Sequence, residues 1–292
     1  MYDCIVVGAG FWGVACAWLA RQRGANVLLL DAGDPLSASP AATCWIAPQW
    51  YHRSSEVVHR MLPERWDSTD VDGSIRWLQD YCGMLTVPQQ AFFVWKDKRS
   101  TPRETYLLPE ASNVLDLVTA TNARVLSLVH KPDYWELYTT RNVYTSRTVV
   151  VAAGVWTDAL LMASALPPVG VRALLGRAEL VAAENIAVEG IIEVFFGPRL
   201  SFNVRSYQGH FRVGDTTERH PSVRLYQRMQ EAGRLVLGRT ELISRIEGLR
   251  PVASHIIVER WAPGLVVATG GHRVGIGLSH LVAKDALEQL GI

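Results

Sequence analysis

The stretch Cys4–Gly13 reads CIVVGAGFWG, a short apolar run that leads directly into three glycines with the spacing Gly-x-Gly-x-x-Gly. Residues 14–23 have the composition of a helix, and residues 26–31 form a second apolar run that ends in an aspartate. An apolar run, a glycine turn, a helix and another apolar run together predict a β-α-β unit at the start of the chain.

Each glycine of this unit has a physical role in binding a dinucleotide. Gly8 allows the tight turn, Gly10 lets the backbone approach a pyrophosphate, and Gly13 lets helix and strand pack closely. The helix N-terminus then presents unpaired amides and the positive end of its dipole to the phosphates. Asp31 can accept hydrogen bonds from ribose hydroxyls, which argues against a 2′-phosphate and leaves FAD or NAD. The alternative is a glycine-rich turn that serves only a buried β-α-β unit.

The composition of the chain limits which classes of protein it can belong to. The 292 residues are 49% hydrophobic, enough for a large core, and the net charge of +1 gives no general attraction to nucleic acid or membrane. The chain shows no long apolar span and no secretory signal, so we expect a cytoplasmic protein. The four cysteines have no paired spacing and no helix carries a His-x-x-x-His pair, so neither disulfides nor a metal site is expected.

The stretch Ser37–Ile46 is rich in small residues. Small side chains let backbone lie against a flat ligand, so this segment could run along a ribityl chain and an isoalloxazine ring, with Trp45 placed to touch the ring. The alternative is an ordinary loop.

The order of apolar runs predicts an α/β fold with two domains. A Rossmann-type domain that binds the dinucleotide, FAD or NAD, would comprise residues 1–82, 109–168 and 242–292. It is interrupted by a second, smaller β-rich substrate domain, residues 83–108 and 169–241. A discontinuous arrangement of this kind places a cleft between the domains, where ligands commonly bind.

Four stretches together resemble the glycine oxidase and D-amino-acid oxidase group of FAD-dependent amine oxidoreductases. They are residues 6–31; the small-residue loop 37–46; residues 149–156; and residues 248–278. The last contains Gly248-Leu249-Arg250-Pro251, which matches the family's Gly-Leu-Arg-Pro motif. It also contains residues 270–276, which are similar to the family's terminal Gly-His-Phe-Arg-Asn-Gly-Ile motif.

The resemblance implies noncovalent FAD. Together with the dinucleotide residues above, it gives an expected set of cofactor-binding residues: Gly8, Gly10, Phe11, Trp12, Gly13, Asp31, Ala32, Ser39, Ala42, Thr43, Cys44, Val125, Ala153, Gly154, Trp156, Gly271, His272, Arg273, Val274, Gly275, Ile276 and Gly277.

The resemblance also implies a substrate site. In glycine-oxidase-like members the motif arginine clamps the substrate carboxylate, a role that carries over to Arg250, with Arg273 nearby; a guanidinium fork suits a carboxylate. The expected pocket residues are Phe202, Arg205, Thr217 and Trp45. Residues 202–217 resemble the pair of strands that covers the substrate in the family, and we call these the roof strands. The sequence departs from the family where Phe202 replaces a tyrosine of the roof strands, Arg205 replaces a proline and Gly271 replaces the histidine of the terminal motif.

The chemistry implied by the family is hydride transfer from an amine C–H to the flavin, hydrolysis of the resulting imine, and reoxidation by oxygen to give hydrogen peroxide. The expected partners are therefore a small amine or amino acid and oxygen, with no membrane. Four alternatives stay open: an NAD-binding reductase, a dehydrogenase with another electron acceptor, a flavin-binding protein without turnover, and an oxidase of an amine tethered to a nucleic-acid base. The last rests on a substrate domain that looks shorter than is usual in the family, on the replacements at Phe202 and Arg205, and on a set of arginines beside the cleft. Arg199, Arg205 and Arg212 fall along the roof strands, and Arg219, Arg224 and Arg228 follow them closely. The sequence does not predict the oligomeric state.

Overall fold

The computed structural model describes residues 1–46, 62–184, 186–197, 200–214, 223–272 and 274–292. They form two β-sheets, each with helices packed against it, and a cavity lies between the two sheets. No helix within these ranges is both long and apolar enough to span a membrane.

The first sheet is the nucleotide-side sheet, in the order β16-β17-β10-β1-β2-β7, with β8 and β9 attached beside β10. Its central strands are parallel. The strands are β1 (Tyr2–Val7), β2 (Val27–Asp31), β7 (Thr121–Asn122), β8 (Val125–His130), β9 (Trp135–Thr139), β10 (Val143–Val151), β16 (Ile257–Ala262) and β17 (Leu265–Thr269).

Both faces of this sheet are covered, which explains why its central strands read as continuous apolar runs. On β1, Cys4 and Val6 face a cluster that includes the helices α1 (Phe11–Gln22) and α6 (Ser279–Leu290). Ile5 and Val7 face the meander β8–β9 and the helix α4 (Thr157–Ala163). The described helices on this side of the molecule are α1 (Phe11–Gln22), α2 (Ser68–Cys82), α3 (Ser112–Leu115), α4 (Thr157–Ala163) and α6 (Ser279–Leu290).

The second sheet has nine strands in the order β15-β11-β14-β13-β12-β4-β6-β3, with β5 beside β4. The face of this sheet that is turned away from the cavity packs against α5 (Val223–Leu237). The strands are β3 (Trp45–Ile46), β4 (Leu85–Phe93), β5 (Lys98–Arg99), β6 (Arg103–Leu107), β11 (Arg172–Ala182), β12 (Ile191–Gly197), β13 (Leu200–Tyr207), β14 (His210–Gly214) and β15 (Glu241–Val252).

Two segments depart from the expected division of the chain. β15 lies in the second sheet, where it pairs with β11 along its whole length, whereas the sequence places residues 242–252 in the nucleotide-binding domain. β3 likewise pairs with β6 of the second sheet. Both strands therefore have their hydrogen-bond partners in the second sheet, although the sequence places their residues in the nucleotide-binding domain.

Candidate functional site

A cavity of about 380 Å³ lies between the two sheets, a volume typical of sites for small molecules and cofactors. Its walls are the glycine turn after β1, the end of β2, the loop Ser37–Trp45, the turn after β10, the C-terminal glycine-rich loop, and one face of the second sheet.

The glycine turn has no room for side chains at two of its positions. Gly8 adopts φ +100°, and a Cβ there would lie 2.4 Å from the Ala152 carbonyl oxygen. A Cβ at Gly13 would lie 1.7 Å from the Gly8 carbonyl oxygen, so α1 packs directly on the turn. Gly13 therefore acts by packing, which is the role that the sequence predicts for it, and does not itself line the cavity.

The N-terminus of α1 opens toward the cavity. Gly10 is the N-cap and offers no capping side chain, and both Gly10 and Phe11 line the cavity. Among the described residues, a Cβ at Gly10 would meet only the Ser39 side chain, whose hydroxyl oxygen would lie at 3.0 Å. An anion placed here would meet the positive end of the helix dipole.

Asp31 closes the same end of the cavity. One of its carboxylate oxygens accepts a hydrogen bond from the Ala9 amide at 2.7 Å, and the other accepts one from the Gly33 amide, also at 2.7 Å. These two bonds fix the carboxylate between the glycine turn and the end of β2. Because each carboxylate oxygen can accept more than one hydrogen bond, Asp31 keeps capacity for ligand hydroxyls.

The small-residue loop lies across the cavity between the sheets. The Ser39 hydroxyl accepts a hydrogen bond from the Phe11 amide at 3.1 Å, and the Leu249 amide donates to the Leu36 carbonyl at 2.8 Å. A Cβ at Gly248 would lie 2.8 Å from the Ala41 Cβ. The loop is thus tied to the glycine turn on one side and to β15 on the other.

Cys44 ends this loop, is buried and takes a positive φ of 58°. Burial raises the pKa of its thiol to about 11, although the nearby Arg205 and Arg212 guanidinium groups oppose the shift. The thiolate is the nucleophilic form of cysteine, so this side chain is a poor nucleophile near neutral pH.

The C-terminal loop, residues 270–277, packs against Trp12. The Trp12 indole donates to the Gly275 carbonyl at 2.6 Å, and a Cβ at Gly271 would lie 2.6 Å from the Trp12 ring. This contact explains why Gly271 stands where the family has a histidine. The next residue, His272, has φ 42°, and its amide donates to the Pro251 carbonyl at 3.0 Å, which joins the loop to the end of β15.

Arg250 forms part of the cavity wall on the second sheet. It lies on β15 opposite Leu174 of β11, and its guanidinium crosses the face of Gly176, where a Cβ would lie 2.6 Å from the Arg250 Cζ atom. Gly176 and Gly248 are cross-strand partners, and both also line the cavity. The absence of a side chain at Gly176 therefore leaves room for the Arg250 guanidinium, and the absence of one at Gly248 leaves room for the small-residue loop.

The roof strand β13 alternates between two environments. Ser201 and Asn203 line the cavity, whereas Phe202 and Val204 pack in the apolar cluster under α5. The expectation that Phe202 contacts the substrate is therefore wrong, because residues one apart on a strand point to opposite faces. The sequence interpretation missed Ser201 and Asn203, and also Glu193, which is the cross-strand partner of Asn203.

Two arginines of the roof strands, Arg205 and Arg212, are buried. Arg205 and Arg212 are cross-strand partners on β13 and β14, and each is only 1% exposed. Arg205 donates to the Pro109 carbonyl at 3.3 Å, and Arg212 donates to the Ala41 carbonyl. Burial and the neighbouring Arg212 lower the pKa of Arg205 to about 10. Arg205 does not line the cavity, so neither its place in the substrate pocket nor a role on a phosphate-binding surface holds.

The remaining expected residues divide into three groups. Val274 and Gly277 are buried behind the C-terminal loop and do not line the cavity. Thr217 and Arg273, like Arg199 and Arg219, lie outside the described residues. The expected residues that do line the cavity are Gly8, Gly10, Phe11, Trp12, Asp31, Ala32, Ser39, Ala42, Thr43, Cys44, Trp45, Val125, Ala153, Gly154, Trp156, Arg250, Gly271, His272, Gly275 and Ile276.

The site fits a flavin dinucleotide. It offers an open helix N-terminus for a pyrophosphate, a fixed carboxylate for ribose hydroxyls and a wall of small residues for a flat ring. The described residues bring no three His, Cys, Asp or Glu side chains together to hold a metal ion.

Comparison with known proteins agrees with this geometry. Residues 3–120 and 117–289 match the model of the FAD dependent oxidoreductase family DAO. No curated protein sequence matches the chain significantly.

Solved structures share the fold over nearly the whole chain. Iminodiacetate oxidase from Chelativorans sp. BNC1 has a TM-score of 0.76 and 17% identity, with 99% of this chain and 95% of that chain covered. Glycine oxidase from Geobacillus kaustophilus has a TM-score of 0.74 and 16% identity, with 99% and 94% covered. L-alpha-glycerophosphate oxidase from Mycoplasma pneumoniae, with FAD bound, has a TM-score of 0.75 and 14% identity, with 100% and 95% covered.

Proposed function

Because this chain belongs to the DAO family of FAD-dependent oxidoreductases, we propose that it oxidises the C–N bond of an amine or amino acid whose carboxylate is bound by Arg250. The observation that carries the proposal is the Arg250 guanidinium, which lies over Gly176 in the wall of the FAD cavity. A cation held there by the fold suits an anionic substrate group.

The chain's own residues would hold the cofactor at two places. Asp31 would accept hydrogen bonds from the adenosine ribose, and the N-terminus of α1 at Gly10 and Phe11, which lines the cavity, would meet the pyrophosphate. When bound, FAD supplies the acceptor of the hydride that leaves the substrate carbon.

The protein then contributes to the reaction by positioning the substrate and by excluding water. Arg250 fixes the substrate through two parallel hydrogen bonds to its carboxylate, and the apolar and small residues of the loop Ser37–Trp45 exclude water. The substrate nitrogen enters as the neutral amine and leaves as an imine that water hydrolyses. Oxygen takes up the two electrons with two protons and becomes hydrogen peroxide.

The relatives support an anionic amine as the substrate class. Glycine and iminodiacetate, the compounds in two of the relatives' names, each combine an amine with a carboxylate. Glycerophosphate, the compound in the third name, is an anionic alcohol. All three carry an anionic group, which favours an arginine at the clamp. The choice of an amine over an alcohol follows from the Gly-Leu-Arg-Pro motif.

The test is anaerobic reduction of the FAD-loaded protein by a panel of amino acids and secondary amino acids. Arg250→Ala should retain FAD and raise the substrate concentration for half-maximal reduction about tenfold or more, since a charge-assisted pair contributes about 1.5–3 kcal/mol. Arg172→Ala is the matched control, because Arg172 is exposed on β11 and does not line the cavity. An unchanged Arg250→Ala profile would remove Arg250 from the substrate site.

Two further readouts distinguish the remaining candidates. Persistence of reduced FAD in air-saturated buffer would identify a dehydrogenase that uses another acceptor. An amine tethered to nucleic acid would be oxidised at a rate that falls steeply with salt. The burial of Arg205 and Arg212 removes two of the arginines on which that candidate rests.

A further inference from the structure

The cavity face of the second sheet carries a buried carboxamide whose oxygen has no hydrogen bond from the described part of the chain. Asn203 lies on β13, lines the cavity and is 5% exposed. Its Oδ1 atom is buried, and no described residue donates a hydrogen bond to it. Buried polar atoms are almost always hydrogen-bonded, so an exception in a cavity wall indicates a partner that a ligand supplies.

The sheet beside Asn203 offers it few donors. Its cross-strand partner on β14 is Gly214, which has no side chain, and the next residue in the same row is Ala178 on β11. The Ser201 hydroxyl, two residues away on the same face of β13, donates to Glu193 at 2.7 Å. These neighbours therefore leave the Asn203 oxygen without a donor.

The Asn203 carboxamide can turn toward a ligand. The terminal torsion of an asparagine side chain has a broad distribution, and no described donor fixes Oδ1 in one orientation. A carboxamide presents both a carbonyl acceptor and N–H donors. A ligand group that donates and accepts, such as a hydroxyl or another carboxamide, can therefore pair with Asn203 in either orientation of the amide.

Asn203 lies well apart from the Arg250 guanidinium. The guanidinium lies over Gly176 on β11, and β14 separates β11 from β13. Two strand spacings, about 10 Å in total, therefore remain between Gly176 and Asn203 across the strands. A ligand group at Asn203 is thus several bonds away from a carboxylate at Arg250, which places that group on the side chain of an amino acid.

We infer that Asn203 determines substrate specificity by hydrogen-bonding an uncharged polar group, a hydroxyl or a carboxamide, on the side chain of the substrate. The substrate class is then an amino acid with such a side chain, in contrast to glycine and to amino acids with apolar side chains. A site built to hydrogen-bond a polar group rejects the analogue that lacks it, because a buried polar atom is then left unpaired. The inference rests on the proposed function, because it takes a carboxylate at Arg250 as the other anchor.

The test compares isosteric pairs of amino acids by calorimetric titration. The protein is loaded with reduced FAD and kept without oxygen, so that binding is measured in the absence of turnover. The pairs are threonine and valine, homoserine and 2-aminopentanoate, and asparagine and leucine, each in both configurations. We expect the polar member of at least one pair to bind about tenfold more tightly than its apolar partner, as a hydrogen bond to an otherwise unpaired buried group provides.

Asn203→Leu replaces the carboxamide by an apolar group of nearly the same shape. It should bring the members of that pair to within about twofold of each other or reverse their order, because no polar atom is then left unpaired by the apolar ligand. FAD content and melting temperature should stay close to those of the unmodified protein. Asn142→Leu is the matched control and should keep the preference, because Asn142 is exposed in the turn between β9 and β10 and does not line the cavity.

The outcomes separate this inference from the proposed function. Equal affinity within every pair, no binding by any polar member, or a preference that persists in Asn203→Leu would overturn the role of Asn203. Loss of FAD from a folded Asn203→Leu protein would overturn it as well, because the carboxamide would then serve the cofactor. If affinity for the pairs is equal but is lost in Arg250→Ala, the clamp stands without Asn203. Affinity that does not depend on Arg250 would contradict the proposed function itself.

Discussion

The Arg250 guanidinium lies across Gly176 of the neighbouring strand, so close that a Cβ at position 176 would be 2.6 Å from Cζ and 2.7 Å from Nη2. The glycine and the arginine therefore form one unit, since the absence of a side chain on β11 gives the guanidinium its place in the cavity wall. The backbone of Gly176 is not in the left-handed region, so the space alone restricts this position.

Gly176→Ala should move the Arg250 guanidinium while leaving the fold intact, because the far end of a flexible side chain can shift. We expect FAD content and melting temperature close to those of the unmodified protein, with substrate affinity at least about tenfold weaker, as for a lost charge-assisted pair. Gly73→Ala is the control, since a Cβ there meets no described atom within 4 Å. Equal substrate affinity in both variants would show that the position of Arg250 does not matter.

Gly13→Ala should damage both stability and FAD binding. The added methyl would be 1.7 Å from the Gly8 carbonyl oxygen, so α1 must move away from the glycine turn. Overpacking of this kind costs about 1–3 kcal/mol, visible as a lower midpoint of urea unfolding, and the displaced helix N-terminus should bind less FAD. Stoichiometric FAD in a variant of undiminished stability would contradict the packing of α1 on the turn.

Asp31→Ala should weaken FAD binding without preventing folding. The substitution removes the acceptor of the Ala9 and Gly33 amides, and with it the proposed partner of the ribose hydroxyls. Loss of charge-assisted hydrogen bonds worth about 1.5–3 kcal/mol raises the FAD dissociation constant about tenfold to a hundredfold. Asp133→Ala, at an exposed loop position, should leave the constant unchanged. The measurement is titration of the apoprotein with FAD by fluorescence quenching.

Cys44 should not carry FAD covalently. Burial raises the pKa of its thiol to about 11, so only a small fraction is thiolate at neutral pH. Acid precipitation should release all the flavin into the supernatant, and Cys44→Ala should retain stoichiometric FAD. Yellow colour that stays in the pellet of the unmodified protein and is lost in Cys44→Ala would identify a covalent bond instead.

The sequence predicted those parts of the site that are encoded by local geometry. The turn Gly8–Gly13 and Asp31 belong to one short β-α-β unit, in which each residue's neighbours are close in sequence. The Gly-Leu-Arg-Pro motif likewise predicted a cavity position for Arg250, and the structure places Arg250 in the cavity wall.

The parts that depend on long-range pairing could not be predicted. Phe202 and Asn203 differ by one residue, and only the position of α5 and of the cavity decides which of the two faces the substrate side. Glu193 and Asn203 become partners through the register of β12 on β13. The burial of Arg205 and Arg212 could not be predicted either, because the sequence does not show that Arg205 donates to the Pro109 carbonyl and Arg212 to the Ala41 carbonyl.

The most direct test of the central claim is anaerobic mixing of the FAD-loaded protein with two matched sets of compounds, carboxylate-bearing amines and the corresponding alcohols, while the visible flavin absorption band is recorded. If the protein is an amine oxidoreductase, at least one amine bleaches the band, its alcohol counterpart does not, and Arg250→Ala weakens the response. Bleaching by an anionic alcohol and by none of the amines would contradict the account.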